Sequence, residues 1–256
     1  MKFKISFAAV MIILLYGVSA ISAAANGGVG WYIKRAGHNC PTIEESQKII
    51  EKYNGIYADK KSSEEGRKII YLTFDAGYEN GNVKKIVDTL DKNGIKASFF
   101  LLDNIIIKNS DLVKSMADSG HLICNHTKNH KDLTKCTEEQ IEENVLSLEK
   151  IYEDKIGGKM SKFFRFPEGK YNEASLKKIS ELGYKSVFWS FAYADWDNAK
   201  QPNPKHAIDL ILKNTHPGEI MLLHPTSSTN AEILPKLIEE WRNMGYEFGL
   251  LDEINA

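Results

Sequence analysis

From residue 69 onward the chain predicts an α/β fold organised as one domain, a (β/α) barrel that need not be complete. Strand-length apolar runs (IIYLTF, KASFFLL, HLICN, KFFRF, KSVFWSF, EIMLLH, YEFGLL) alternate with helical patterns. Such alternation produces parallel strands joined by crossover helices. Neither GxGxxG nor GxxxxGK[ST] follows the first run, so the nucleotide-binding versions of an open doubly wound sheet lose support and the barrel gains it. A length of 256 residues fits one large domain better than two small ones.

Lys2 and Lys4 precede the apolar run FAAVMIILLYGV and then the small residues of SAISAAANGG. This is the three-part plan of a secretory signal over 1–25, cleaved after Ala20, Ala23 or Ala25, with an uncleaved anchor as the alternative. Either way an exported protein is expected, meeting a membrane only through that segment. Residues 26–66 are expected to form an extension packed on the barrel, with a helix in TIEESQKIIEKYNG ended by Gly55. The barrel itself takes 67–256. Its helical patterns stop at Gly94, Gly120, Gly183 and Gly245, as helices do where a left-handed residue is needed. Thr137 and Gln140 form a capping-box pattern, and Pro235 is expected to open the last helix.

With 33 basic and 34 acidic residues, the charge balance argues against nucleic acid or an anionic membrane surface as the main partner. Cys40, Cys124 and Cys136 leave at least one thiol unpaired within a monomer, the expected state, and no Cys-x-x-Cys spacing is present.

Function in such folds collects at the carboxyl ends of the strands. The residues just past the successive strands are Asp75, Asp103, His126 with His130, Arg165, Asp195 with Trp196, and His224. This concentration of ionisable groups on one rim points to an enzyme. His126 and His130 stand four apart, a spacing that suits two imidazole ligands on one metal. Asp75 is a candidate general base, a ligand, or a turn former before Gly77. His224 could donate a proton opposite a base, and Asp195 could hold its imidazole in one tautomer. Trp196 reads as core packing or as a pocket wall.

TFDAG, NHTKNH, RFPEG, the Asp195–Trp196 pair and LLH occur in the order of the five motifs of the NodB-type polysaccharide deacetylases, carbohydrate esterase family 4, which the chain resembles over roughly 67–252. The longer TFDAGYENG, the upstream WYIKR and FWSFAYADW resemble the branch that deacetylates N-acetylmuramic acid in peptidoglycan and leads to muramic δ-lactam in the spore cortex. The resemblance implies a distorted (β/α)7–8 barrel, the NodB homology domain, acting on a peptidoglycan glycan strand. Asp75 would be the general base, Arg165 would orient it, His224 would be the general acid and Asp195 would tune it. His126 and His130 would ligate a divalent metal, usually zinc. Trp196 and Leu223 would line the acetyl pocket, with Tyr78, Pro167 and Gly169 as further substrate contacts.

Two positions depart from the family pattern. Ala76 stands where the family has an aspartate ligand, so a weakly held metal is expected, with Asp103 as a compensating carboxylate. Glu168 stands where the branch often has arginine. Ala76 also motivates an alternative, a catalytically silent glycan-binding module on the same scaffold. An N-acetylglucosamine or chitin-type deacetylase is a second alternative. A glycosidase using paired rim carboxylates is a third, and it explains neither the histidine pair nor His224.

Overall fold

The computed structural model describes residues 27–254; the signal or anchor expected over 1–25 lies outside the described residues. The chain enters through β1 (Val29–Gly30), then α1 (Ile49–Lys52) and α2 (Lys60–Glu64). The alternation follows: β2 (Ile69–Ala76), α3 (Asn82–Lys92), β3 (Ser98–Leu101), α4 (Asp103–Lys108), α5 (Ser110–Asp118), β4 (Leu122–Asn125), α6 (Glu138–Lys155) and β5 (Ser161–Phe164). It continues as β6 (Lys170–Tyr171), α7 (Glu173–Glu181), β7 (Lys185–Ser186), α8 (Pro204–Asn214), β8 (Glu219–Leu223), α9 (Ser228–Asn243) and β9 (Glu247–Gly249). No described helix is long and apolar enough to cross a membrane.

The main sheet is parallel, in the order β7-β5-β4-β3-β2-β8, with β9 also on β2. β9 pairs with Ile69–Tyr71, on the same edge of β2 where β3 pairs with Thr73–Ala76 further along. Between β7 and β8 the ladder is irregular. There the Ser190 N–H donates to the Ile220 carbonyl at 3.0 Å and the Leu222 N–H to the Phe191 carbonyl at 2.9 Å. The sheet therefore curls into a distorted barrel.

Strand alternation sorts the side chains into two layers. Ile70, Leu72, Phe74 and Ala76 of β2 join Phe99, Leu101, Met221 and Leu223 in an apolar layer that includes Val83 and Leu90 of α3 and Leu237 and Trp241 of α9. Tyr71, Phe100, Cys124 and Ile220 form a second cluster on the opposite face, plugging the barrel below its rim. Burying each large side chain contributes roughly 1.5–3 kcal/mol, so both layers hold the strand ends in place.

Local signals act as expected at several points. The Thr137 hydroxyl accepts from the Gln140 N–H at 3.3 Å, and the Gln140 side chain accepts from the Thr137 N–H at 3.1 Å. Gly94, Gly120, Gly183 and Gly245 all have positive φ. Pro235 is a correction: it lies inside α9, which already starts at Ser228. The Ser227 side chain caps that helix by accepting from the Asn230 N–H at 3.1 Å, and side-chain bonds hold its first turn to the neighbouring 195–202 segment. The stretch 45–52 is a 3-10 turn followed by the short α1 rather than one helix. All three cysteines are free.

The segment before β2 is tied to the barrel. Trp31 is buried, its indole N–H donates to the Trp189 carbonyl at 3.0 Å and its backbone N–H to the Gly169 carbonyl at 2.8 Å. Ile56 and Ala58 bridge Val187 and Glu219.

Candidate active site

Asp75 is the penultimate residue of β2. It lies on the opposite face of the strand from Phe74 and Ala76 and lines a cavity of about 620 Å³ at the strand ends. Arg165, one residue past β5, is fully buried. Its Nη1 donates to Asp75 Oδ1 at 2.8 Å, its Nε to the Val187 carbonyl at 3.1 Å, and its guanidinium sits 4.1 Å over the Phe100 ring. Burial works against charge on Asp75, but Arg165, then His126 and His224, hold its carboxyl below the ordinary carboxylate range. Asp75 is therefore ionised at neutral pH, and the permanent cation beside it keeps it so.

His126 follows β4 directly. Its Nδ1 is 2.8 Å from the Arg165 carbonyl; a carbonyl only accepts, so Nδ1 carries the proton and Nε2 presents a lone pair. That Nε2 lies 3.7 Å from Asp75 Oδ2. Burial pushes the His126 pKa down to about 4, against the pull of Asp75, so the ring is neutral at neutral pH. Thr127 and His130 both adopt positive φ, and this bent loop, rather than a helix, brings the His126 and His130 rings to 5.0 Å.

His224 leaves the end of β8 opposite this group. Its Nδ1 bonds Asp195 Oδ1 at 2.7 Å, and its backbone N–H donates to Asp195 Oδ2 at 2.8 Å. Burial disfavours the imidazolium, but the Asp195 bond and charge outweigh it and raise the His224 pKa above its ordinary value. Asp195 is buried behind the imidazole, with Gln201 Nε2 donating to its backbone carbonyl at 3.0 Å. The polar residues of the YENGN stretch join the two sides: Asn80 and Asn82 donate to the Thr226 carbonyl at 2.9 and 3.0 Å.

The remaining walls are aromatic or small: Trp189, Ala192, Tyr193, Trp196 and Leu222, with Glu168 and Gly169 at the edge. Trp196 is 61% exposed, so it is a wall and not core. Gly169 has φ 64, and a Cβ there would come within 2.8 Å of the Trp189 ring, which is why glycine occupies it. Glu168 also has positive φ, 55, and pairs with Lys170 at 2.6 Å.

Asp75, His126, His130, Gly169, Trp196 and His224 thus meet at one cavity, with Arg165 and Asp195 buried behind it. The other four expected site residues stand outside the cavity lining. Leu223 packs in the outer apolar layer, and Leu222 lines the cavity instead, because side chains two apart share a face and Leu222 shares that of His224. Pro167 is buried and does not line the cavity, since it opens the tight turn that presents Glu168 and Gly169. Tyr78 stands outside the lining, its hydroxyl accepting from Asn198 Nδ2. Asp103 occupies the first position of α4, where its backbone N–H bonds the Lys128 carbonyl at 3.0 Å; it steadies the 126–130 loop and does not line the cavity. Sequence reading passed over Leu222, Trp189, Tyr193 and Asn230. Alternation from His224 could have found Leu222; no sequence signal marks Asn230.

Deacetylases with this arrangement of motifs generally use a divalent metal. Here His126 Nε2 and the His130 ring are available, but Ala76 offers no donor and faces the outer layer. Among the described residues no group of three or more His, Cys, Asp or Glu side chains is placed to hold a metal. The donor set does not fit a closed site.

An ionised carboxylate and an imidazole held toward its protonated form, sharing one aromatic-walled cavity, define a hydrolase site of the acid–base type. Residues 62–187 match the polysaccharide deacetylase family, a range that holds Asp75, His126, His130 and Arg165. The chain is 37% identical to the peptidoglycan-N-acetylmuramic acid deacetylase PdaA of Bacillus subtilis, covering 99% of this chain and 96% of that protein. It is 32% identical to a peptidoglycan-N-acetylglucosamine deacetylase of Bacillus cereus, covering 73% of this chain and 88% of that one. The solved structure of Bacillus subtilis PdaA, a family 4 carbohydrate esterase, superposes with a TM-score of 0.83 at 38% identity, covering 90% of this chain and 97% of that one. The chain belongs to the polysaccharide deacetylases of carbohydrate esterase family 4.

Proposed function

We propose that this deacetylase hydrolyses the N-acetyl group of peptidoglycan amino sugars, in the first place N-acetylmuramic acid, on the route to muramic δ-lactam in an exported, cell-wall or spore-cortex setting. The observation that carries the reaction is the placing of Asp75 and His224 on one cavity with opposite charge preferences. Asp75 accepts a proton from the attacking water as the water adds to the acetamide carbonyl. Arg165 holds the carboxylate toward the cavity. His224 then gives its proton to the leaving sugar amine, and Asp195 supports the imidazolium until it does. Each such proton transfer is worth roughly 10²–10⁴ in rate. Trp196, Trp189 and Tyr193 offer flat faces to a sugar ring.

The muramic acid assignment is supported by extent. Similarity to the muramic acid enzyme runs over 99% of the chain, whereas that to the glucosamine enzyme covers 73%. The longer match takes in the segment whose Trp31 buttresses Trp189 and Gly169. A zinc ion would have only His126 and His130 to hold it, without a third dedicated ligand, and would be held weakly.

The test is acetate release and muropeptide mass spectrometry on peptidoglycan stripped of stem peptides, with His224→Ala as control. Loss of acetyl from muramic acid residues is the expected product. Loss from glucosamine residues alone would replace the muramic assignment, and no acetate from either would leave a glycan-binding module. Equilibrium dialysis with zinc should show binding that chelator removes and that His126→Ala abolishes; tight retention through chelation would contradict the depleted donor set.

A further inference from the structure

Asn230 lies in the first turn of α9 and is 2% exposed. Its Nδ2 donates to Asp195 Oδ2 at 2.6 Å and to the His224 carbonyl at 3.0 Å, while its Oδ1 accepts from the Tyr193 hydroxyl. Two acceptors meet one end of the amide and a hydroxyl donor meets the other. Rotating the amide by half a turn would set its oxygen against both acceptors, so the partners dictate the orientation. The backbone of Asn230 is fixed too, through its N–H to Ser227 Oγ, whose hydroxyl bonds Gln201.

Asp195 uses one oxygen for His224 Nδ1 and the other for the His224 backbone N–H and Asn230. The amide thereby ties the carboxylate and the main chain of His224 into a single frame. With Asn230 gone, Oδ2 would keep only the His224 N–H, and the carboxylate plane could turn away from Nδ1. We propose that Asn230 is a positioning residue for His224: by gripping Asp195 and the His224 carbonyl together, it keeps Nδ1 bonded and leaves Nε2 as the nitrogen for the cavity. The other charged groups acting on the imidazole are Asp75 on β2 and Arg165 beyond β5, and neither touches Asn230. The inference rests on the general-acid reading of His224, and its test separates the two.

The experiment is imidazole nitrogen NMR of His224 in the full chain, for wild type, Asn230→Leu and Tyr193→Phe, together with kcat and KM for acetate release. In wild type the Nδ1–H signal should persist, protected from exchange by Asp195. Asn230→Leu should broaden or lose that signal and lower kcat on the order of 10–100-fold, as loss of a hydrogen bond to a charged group does, with KM changed little. Tyr193→Phe removes only the bond to Oδ1 and should move the same readouts less. If Asn230→Leu folds and leaves the His224 nitrogen signals and kcat within twofold of wild type, Asn230 is scaffold only and the proposal is wrong. If it does not fold, unchanged nitrogen signals in Tyr193→Phe overturn the proposal. Should no substrate release acetate, the general-acid reading fails, and the NMR comparison still decides whether Asn230 orders the imidazole.

Discussion

Two buried carboxylates serve this cavity, and their surroundings assign them different work. Asp75, on the β2 side, faces Arg165, a cation that never titrates, so its charge is fixed and its proton affinity is low. Asp195, on the β8 side, faces His224, whose charge follows pH, so its effect is passed on as a raised imidazole pKa. The β2 side is buried, and its guanidinium is held by a backbone carbonyl and an aromatic ring as well as by Asp75. The β8 side leaves the His224 side chain 26% exposed, open enough to exchange a proton with substrate. Residue type alone would treat the two aspartates alike; the partner decides which carries a fixed charge and which raises a neighbouring imidazole's pKa.

The strongest way to break this contrast is to neutralise one carboxylate without changing its shape. Asp75→Asn should lower acetate release by roughly 10²–10⁴-fold; a drop below tenfold would remove Asp75 from the base role. Arg165→Met strips the cation and leaves Asp75 buried and unpaired. Urea denaturation should then show a loss of about 3–5 kcal/mol, and a change under 1 kcal/mol would mean that the pair is not desolvated in solution.

Asp195→Asn sharpens the other half. Because Asp195 raises the His224 pKa, its neutralisation should move the alkaline limb of kcat/KM to lower pH, with activity at neutral pH reduced on the order of 10–100-fold. An alkaline limb that stays put would separate His224 from the profile. The linkage sign agrees: His224 has a raised folded pKa, so its contribution to stability is present below about pH 6.5 and is lost as pH rises through the folded value. Asp195→Asn should flatten that loss. The smallest effect is expected at the edge between the two sides, where Glu168 holds positive φ. Glu168→Gly should raise unfolding stability by about 1 kcal/mol, unless the exposed Lys170 pair offsets the strain, in which case the melting temperature would not move.

Much of the site was legible along the chain because barrels place function just past strand ends, and Asp75, His126, Arg165, Asp195 and His224 all follow apolar runs. Leu223 went astray by one residue, since a motif names neighbours while a strand sends neighbours to opposite faces. Asp103 was misplaced because a strand-end position does not show whether the next residue turns into the cavity or starts a helix. Pro235 marked a helix start by its missing N–H, yet the bonds of Asn230 and Thr229 to the preceding loop extended α9 past it.

By itself the sequence determined the parallel α/β plan, through strand–helix periodicity, and the order of the acid–base residues, which are local features of single segments. It also determined that position 76 brings no ligand atom. Only the tertiary structure decided the charge preferences, because they depend on distances between residues far apart in the chain: Arg165 to Asp75 and Asp195 to His224, with Asn230 bonded to both members of that last pair. Charge preference is a property of an environment, and the environment forms only when the barrel closes.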